Sequence, residues 1–189
     1  MDVFKAIQWR RSIRRFALKK IEREKISQIL EAARLAPSSS NRQTWHFVVI
    51  DDTSIIEQIP KQVALGTKML VPWVSNAPLV IAGCYTKAWT HVVAQLFSHE
   101  NHLVDVSIAM AHIALAATAL GIGTCFVGWF NEKKLKHLLH IPVNYKIAVL
   151  LALGYPADAP TKESIGGIDP RPRKNLEEIV SYNKFGVKF

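Results

Sequence analysis

Two hydrophobic periods alternate along this chain. Val3, Phe4 and Ile7 recur at helical spacing and predict a first helix over residues 2–10. Ile26, Ile29, Leu30 and Ala33 make the apolar stripe of a second, from about Glu22 to Leu35. Pro37 and the run Ser38-Ser39-Ser40-Asn41 end it in a polar loop. His46 to Ile50 is a run suited to a buried strand, and Leu79 to Tyr85 is another. Between them the pattern weakens to a helix around Ser54–Gln62, and residues 66–75 carry no clear period.

The second half is more apolar. Leu103 to Leu120 is hydrophobic nearly all round, so a helix there needs cover on almost every face, and a second copy of the chain is one way to supply it. Gly121 is placed to stop that helix with a left-handed cap. Thr124 to Val127 predicts a short strand, Asn131 caps a helix through about Leu139, and Lys146 to Leu153 is a further strand closed by Gly154-Tyr155-Pro156. From Ala157 the composition shifts to proline, glycine and charge, which fits a tail either disordered or laid over a surface such as a partner's. The 189 residues suit one compact domain of helices and strands with a real core, not two.

Composition narrows the class. With 49% hydrophobic and 21% charged residues the chain is globular, not disordered. Asp2, Lys5 and Arg10 interrupt any secretory apolar region at the N-terminus. The apolar run from Val104 to Val127 contains Asp105, His112 and glycines, and is expected to be a buried helix and turn, with no membrane span. Cys84 and Cys125 sit among apolar neighbours, as small buried hydrophobes of a reducing cytoplasm would. A net charge of +9 and a pI near 9.7 suit an anionic partner: nucleic acid, a membrane surface, or a phosphorylated cofactor or substrate.

Four stretches carry candidate chemistry. Arg10-Arg11-Ser12-Ile13-Arg14-Arg15 crowds guanidinium forks around a hydroxyl. That set matches a phosphate dianion, and equally a solvated basic face or nucleic-acid patch. If the first helix continues to Arg14, Arg10 and Arg14 share one face. Pro37 to Trp45 concentrates hydroxyls and amides that can satisfy the edge of a polar heterocycle, or simply form a turn. Leu120-Gly121-Ile122-Gly123 through Gly128 permits close backbone approach to a flat ligand. Arg171, Arg173 and Lys174 form a second basic set, or a solvated tail. His99, His102 and Asp105, with His91 and His112, fit no standard zinc spacing. The preferred reading there is a polar helix start with Asp105 at a dimer interface.

In this order the stretches resemble the FMN-dependent nitroreductase family over essentially the whole chain. The resemblance rests on Arg-Arg-Ser-x-Arg, then Pro-Ser-Ser-x-Asn-x-Gln-x-Trp-x-Phe, then an Ala-rich helix ending Leu-Gly-x-Gly, then a basic tail before Leu-Glu-Glu-Ile-Val. It implies an α+β, three-layer α/β/α fold with a central, mixed but mostly antiparallel sheet. It implies one domain over 1–189, in an intertwined homodimer whose residues 157–189 wrap the partner and whose interface holds FMN. Arg10, Arg11, Ser12 and Arg14 would hold the FMN phosphate and ribityl chain, joined by Arg171 and Arg173. Ser38, Ser39 and Asn41, supported by Gln43, would reach the flavin, and the backbone N–H groups of Val127 and Gly128 would approach its N5 and O4 edge. NADH or NADPH would be the donor and a nitroaromatic, quinone or similar small molecule the acceptor, in a cytoplasmic enzyme without nucleic-acid or membrane partners. No side chain is needed as acid or base, and no metal. Thr44 departs from the family's proline, and Gln62 to Ser75 matches nothing at the substrate pocket. A non-catalytic anion-binding protein, or a same-fold flavin enzyme for dehalogenation or flavin fragmentation, is the alternative.

Overall fold

The computed structural model describes residues 1–63, 71–86, 101–158 and 172–188. Four strands form one sheet: β1 (Trp45–Ile50), β2 (Leu79–Tyr85), β3 (Gly123–Val127) and β4 (Lys146–Gly154). Their order is β1-β2-β4-β3 and every neighbouring pair is antiparallel. The parallel element is an isolated bridge, Ser12 with Thr124 on the outer side of β3. β2 and β4 are central, and their long apolar runs are buried on both faces, as a covered sheet requires.

Helices cover both faces. After α1 (Val3–Trp9), α2 (Arg23–Arg34) and α4 (Asn101–Ala119) pack against Leu79, Ile81, Leu151 and Leu153 through Ile29, Ala33, Val106, Met110 and Ile113. On the other face α3 (Thr53–Ile56), a π turn (Ile59–Val63), a 3-10 turn (Pro72–Asn76) and α5 (Glu132–Leu138) supply Ile56, Ile59, Val74 and Leu135 to Val80, Ala82, Leu150 and Ala152. This is the expected α+β, three-layer arrangement. Strand alternation assigns one residue set to each layer. Gly83 lets α4 approach, since a Cβ there would lie 2.7 Å from Met110 Sδ.

Most local signals act as expected. Gly121 caps α4 at φ 75°, and Asn131 accepts Lys134 N–H at 3.1 Å to start α5. One expectation fails. The helix over Ser54–Gln62 divides into α3 and the π turn, with Pro60 the second residue of that turn. Proline has no N–H for a helical bond and its ring crowds the preceding turn. The first helix runs Val3–Trp9 with Arg10 as its cap, as its apolar stripe predicts, so the condition for Arg10 and Arg14 to share a helical face is not met.

α4 is long and apolar enough to cross a membrane, yet its buried side is seated on the sheet. Its other side leaves Val104, Ser107 and Ala111 exposed, with Ile108 and Leu115 half-buried. The described residues therefore cover only part of it.

The chain divides into two compact units, Met1–Ala159 and Pro160–Phe189, close to the composition shift at Ala157. In the second, α6 (Leu176–Ile179) is a single turn closed by a reciprocal Asn175–Glu178 capping box. A tight turn follows, with Tyr182 N–H donating to Val187 O at 2.9 Å and Gly186 at φ 84°.

Candidate functional site

The arginine stretch is shaped by its route along the sheet edge. Arg10 ends α1 with φ −55° and ψ 126°, and its N–H still closes the helix on Ala6 O at 3.0 Å. Ser12 then bridges Thr124, with Ile13 N–H on Thr124 O at 2.9 Å. Phe16 bridges Pro156, and Ala17 N–H reaches Tyr155 O at 2.8 Å. The stretch thus borders the start of β3 and the end of β4. Gly123 permits the approach, because a Cβ there would stand 2.8 Å from Ile13.

In an extended stretch Arg10, Ser12 and Arg14 fall at alternate positions and can serve one side. Their shared neighbour is Cys125 on β3. Burial pushes its thiol up, opposed by the Arg14 charge, a Ser12 hydrogen bond, the Arg10 charge and an Arg14 hydrogen bond. Arg14 lies over the Trp73 ring at 5.8 Å and makes no ion pair among the described residues. Arg11 turns away: its guanidinium donates to the carbonyls of Gln8 and, at 3.1 Å, Arg10 at the end of α1. Arg15 pairs with Asp158 at 3.1 Å. Ser12 and Arg14 are exposed and Arg10 is half-buried, so two guanidinium forks and a hydroxyl are gathered within reach of solvent. That donor set fits a phosphate monoester. Down the same strand, Val127 is buried in the core, while Gly128 is exposed and an added Cβ would meet nothing within 4 Å. The backbone there has open space over it, as a flat ring would need.

The second group is the loop before β1. Ser40, Asn41 and Gln43 have φ 51°, 54° and 49°. Non-glycine residues are rare in this left-handed region, and each costs on the order of 1 kcal/mol. Contacts hold the loop there. Ser39 N–H donates to Asp105 Oδ1 at 3.0 Å, Asn101 Nδ2 to Ser39 Oγ at 3.4 Å, and Gln43 N–H to Ser38 Oγ at 3.0 Å. Gln43 Nε2 donates to Asn41 O at 3.2 Å and to Asn41 Oδ1 at 3.0 Å. Thr44, where the family has proline, is buried, and its Oγ1 has no hydrogen-bond partner among the described residues.

One chain does not bring these two groups together. Ser39 sits at the start of α4 and Thr124 just beyond its end, and a 19-residue helix is roughly 28 Å long. The groups also lie at opposite sheet edges, β1 and β3, about three strand spacings or 14 Å apart. Arg173 is exposed in the second unit and Arg171 lies outside the described residues, so their expected place beside Arg10 is not addressed by the fold.

The histidine set takes other partners. His102 is buried and stacks on Tyr85 with ring centroids 4.7 Å apart, and His112 Nδ1 meets Ala32 O at 3.0 Å. His91 and His99 lie outside the described residues. Asp105 is 4% exposed and its Oδ1 accepts Ser39 N–H; its expected place at a dimer interface is not addressed by a single chain. A buried carboxylate has to find donors, and the nearest set belongs to the polar loop. Sequence reasoning missed both this anchor and Trp73 beneath Arg14. The usable signal was a lone carboxylate inside an apolar helix.

Comparison with known proteins points to one family. The nitroreductase family profile matches residues 7–68 and 56–155. The chain is 34% identical, over 83% of its length and 87% of the relative's, to an Archaeoglobus fulgidus protein provisionally described as an NADH dehydrogenase/NAD(P)H nitroreductase. It superposes on the crystal structure of a nitroreductase family protein from Clostridium novyi NT with a TM-score of 0.77 and 31% identity, covering 100% and 97% of the two chains. An FMN-dependent nitroreductase from Clostridium difficile R20291 gives 0.74 and 26%, covering 96% and 99%.

Proposed function

The chain belongs to the nitroreductase family of oxidoreductases, and from that premise we propose that it is an FMN-dependent NAD(P)H oxidoreductase reducing small acceptors such as nitroaromatics or quinones. The observation that carries this reading is the gathering of Arg10, Ser12 and Arg14 around Cys125, on the strand that ends at Val127 and Gly128. A phosphate held at the arginine end and a flat ring over the glycine end is the layout a flavin mononucleotide needs.

In this reading Arg10 and Arg14 neutralise the phosphate, Ser12 adds a hydroxyl donor, and Trp73 keeps the Arg14 guanidinium in place. Arg11 Nη1 holds the backbone carbonyls at the end of α1, and the rest of its guanidinium fork would add to the phosphate donors. The N–H groups of Val127 and Gly128 stand where a ring edge would gain negative charge, the placement that stabilises a developing anion. Bound here, FMN would supply the hydride and electron chemistry that no side chain of this chain can perform. The chain's own work is to bind, orient and keep one face open for donor and acceptor in turn.

A second copy completes the site. Ser38, Ser39, Asn41 and Gln43 stand at the far edge of their own sheet, and a homodimer that seats α4 on α4 brings one protomer's loop toward its partner's arginines. The uncovered stripe Val104, Ile108, Ala111 and Leu115 is the surface that such a dimer buries. The tail's Arg171 and Arg173 would join the phosphate site of this assembly.

The direct test is the visible spectrum of the purified chain before and after anaerobic NADPH. Oxidised-flavin bands that bleach, with FMN released on heating, are expected. A colourless protein that takes up no added FMN would overturn the reading.

A further inference from the structure

α4 carries one carboxylate in a buried face that is apolar apart from His102, and the proposed chemistry gives it no task. Asp105 Oδ1 accepts Ser39 N–H at 3.0 Å, one residue before the backbone turns left-handed at Ser40, Asn41 and Gln43. A turn of non-glycine residues in that region persists only where its surroundings over-determine it. Here a buried acceptor on a long, packed helix fixes the turn's first N–H. Away from water such a bond is not diluted by competing solvent.

The fixed turn has a chemical product. Gln43 Nε2 donates to both Asn41 O and Asn41 Oδ1, which sets the rotation of both amides. Asn41 Nδ2 is then the donor and Gln43 Oε1 the acceptor that the loop presents. The pyrimidine side of a flavin offers the complementary alternation, an N–H between two carbonyls. We infer that Asp105 is a positioning residue for flavin binding: its carboxylate locks the Ser39–Gln43 turn so that Asn41 and Gln43 form one pre-set donor–acceptor edge. This rests on the flavin reading above and deepens it. One turn earlier on α4, His102 stacks on Tyr85 of β2.

The test titrates FMN into the flavin-stripped full chain and follows fluorescence quenching, for the wild type and four variants. Asp105→Ala is expected to weaken FMN at least tenfold. Asp105→Asn, which keeps an acceptor oxygen in the same place, restores affinity to within about threefold of wild type. Asp105→Glu keeps the carboxyl group but moves the acceptor by one methylene, and it loses affinity as Asp105→Ala does; it also carries the test if Asp105→Ala does not fold. Ile113→Val, which loosens the same helix against the sheet, lowers the melting temperature and leaves FMN affinity unchanged. Amide exchange at Ser39, read by NMR without flavin, speeds up in Asp105→Ala and Asp105→Glu only.

Wild-type affinity in Asp105→Ala, or an Asn variant no better than Ala, overturns the positioning role while the flavin reading stands. A wild-type chain that binds no FMN overturns both, and the Ser39 exchange rates then still show whether the anchor itself exists.

Discussion

At the scale of single residues, the best-defined polar cluster ties the start of α2 to the end of β4. The Tyr155 hydroxyl donates to Glu22 Oε2, Lys25 Nζ donates to Tyr155 Oη at 2.6 Å, and Lys19 and Lys25 reach Glu22 at 3.1 and 3.3 Å. The Tyr155 hydrogen bond, with the Glu22 backbone and the two lysines, holds the Glu22 carboxyl down at about 2, from its ordinary 4.5. A folded-state value below the unfolded one means stability that is complete above pH 4.5 and lost as pH falls toward 2. Melting temperatures of wild type and Glu22→Gln should therefore differ by a constant amount at neutral pH and converge between pH 4.5 and 2. A gap that stays constant through that window would show that Glu22 is not the titrating group. The two thiols make a second residue-level prediction. Burial pushes Cys84 up to about 11 and Cys125 in the same direction. Neither should react with a disulfide reagent in the native chain near pH 7, and both should react once it is denatured.

At the scale of elements, glycines set how closely the N-terminal strap lies on the sheet. An added Cβ at Gly154 would stand 2.7 Å from Phe16 Cδ1 and 2.7 Å from Pro78 Cδ, both on rings that cannot bend away. Gly154→Ala should cost about 1–3 kcal/mol in a denaturant melt, the range for overpacked cores. Gly123→Ala meets Ile13 at 2.8 Å and pushes the arginine strap outward. It should weaken FMN uptake more than Gly154→Ala does relative to its cost in stability, as parallel titrations and melts would show. Equal ratios for the two variants would separate the strap's position from phosphate binding. The break between α3 and the π turn belongs to this scale too, since Pro60 overrode a helical pattern that the side chains alone supported.

At the scale of the molecule, unpaired apolar surface is distributed on one plan. Val104 is 56% exposed on α4, and Val3, Phe4 and Ile7 are exposed on α1. These are the residues that the proposed homodimer would have to bury. Val104→Glu should shift sedimentation toward the monomer and release FMN in the same protein-concentration range. A monomer that keeps its flavin would refute a site completed by a second copy. The tail unit carries exposed Leu176, Ile179, Tyr182 and Phe185 around a single helical turn, too few residues to build a core of their own.

The chain's own order of residues determined the elements that depend on neighbours in sequence. Helical stripes, apolar strand runs, the Gly121 cap and the Asn131 cap act over a few residues, so they were legible without a fold. The family's motifs were legible for the same reason, each being a short string in a fixed order. Only the tertiary structure decided which residues meet across long separations. It brought Ser12 to Thr124, Arg14 to Trp73 and Asp105 to Ser39, and it placed the loop and the strap at opposite ends of α4. No local period encodes those pairings. They follow from strand order and from the demand that a buried polar group or a left-handed turn find its partner wherever the fold puts one.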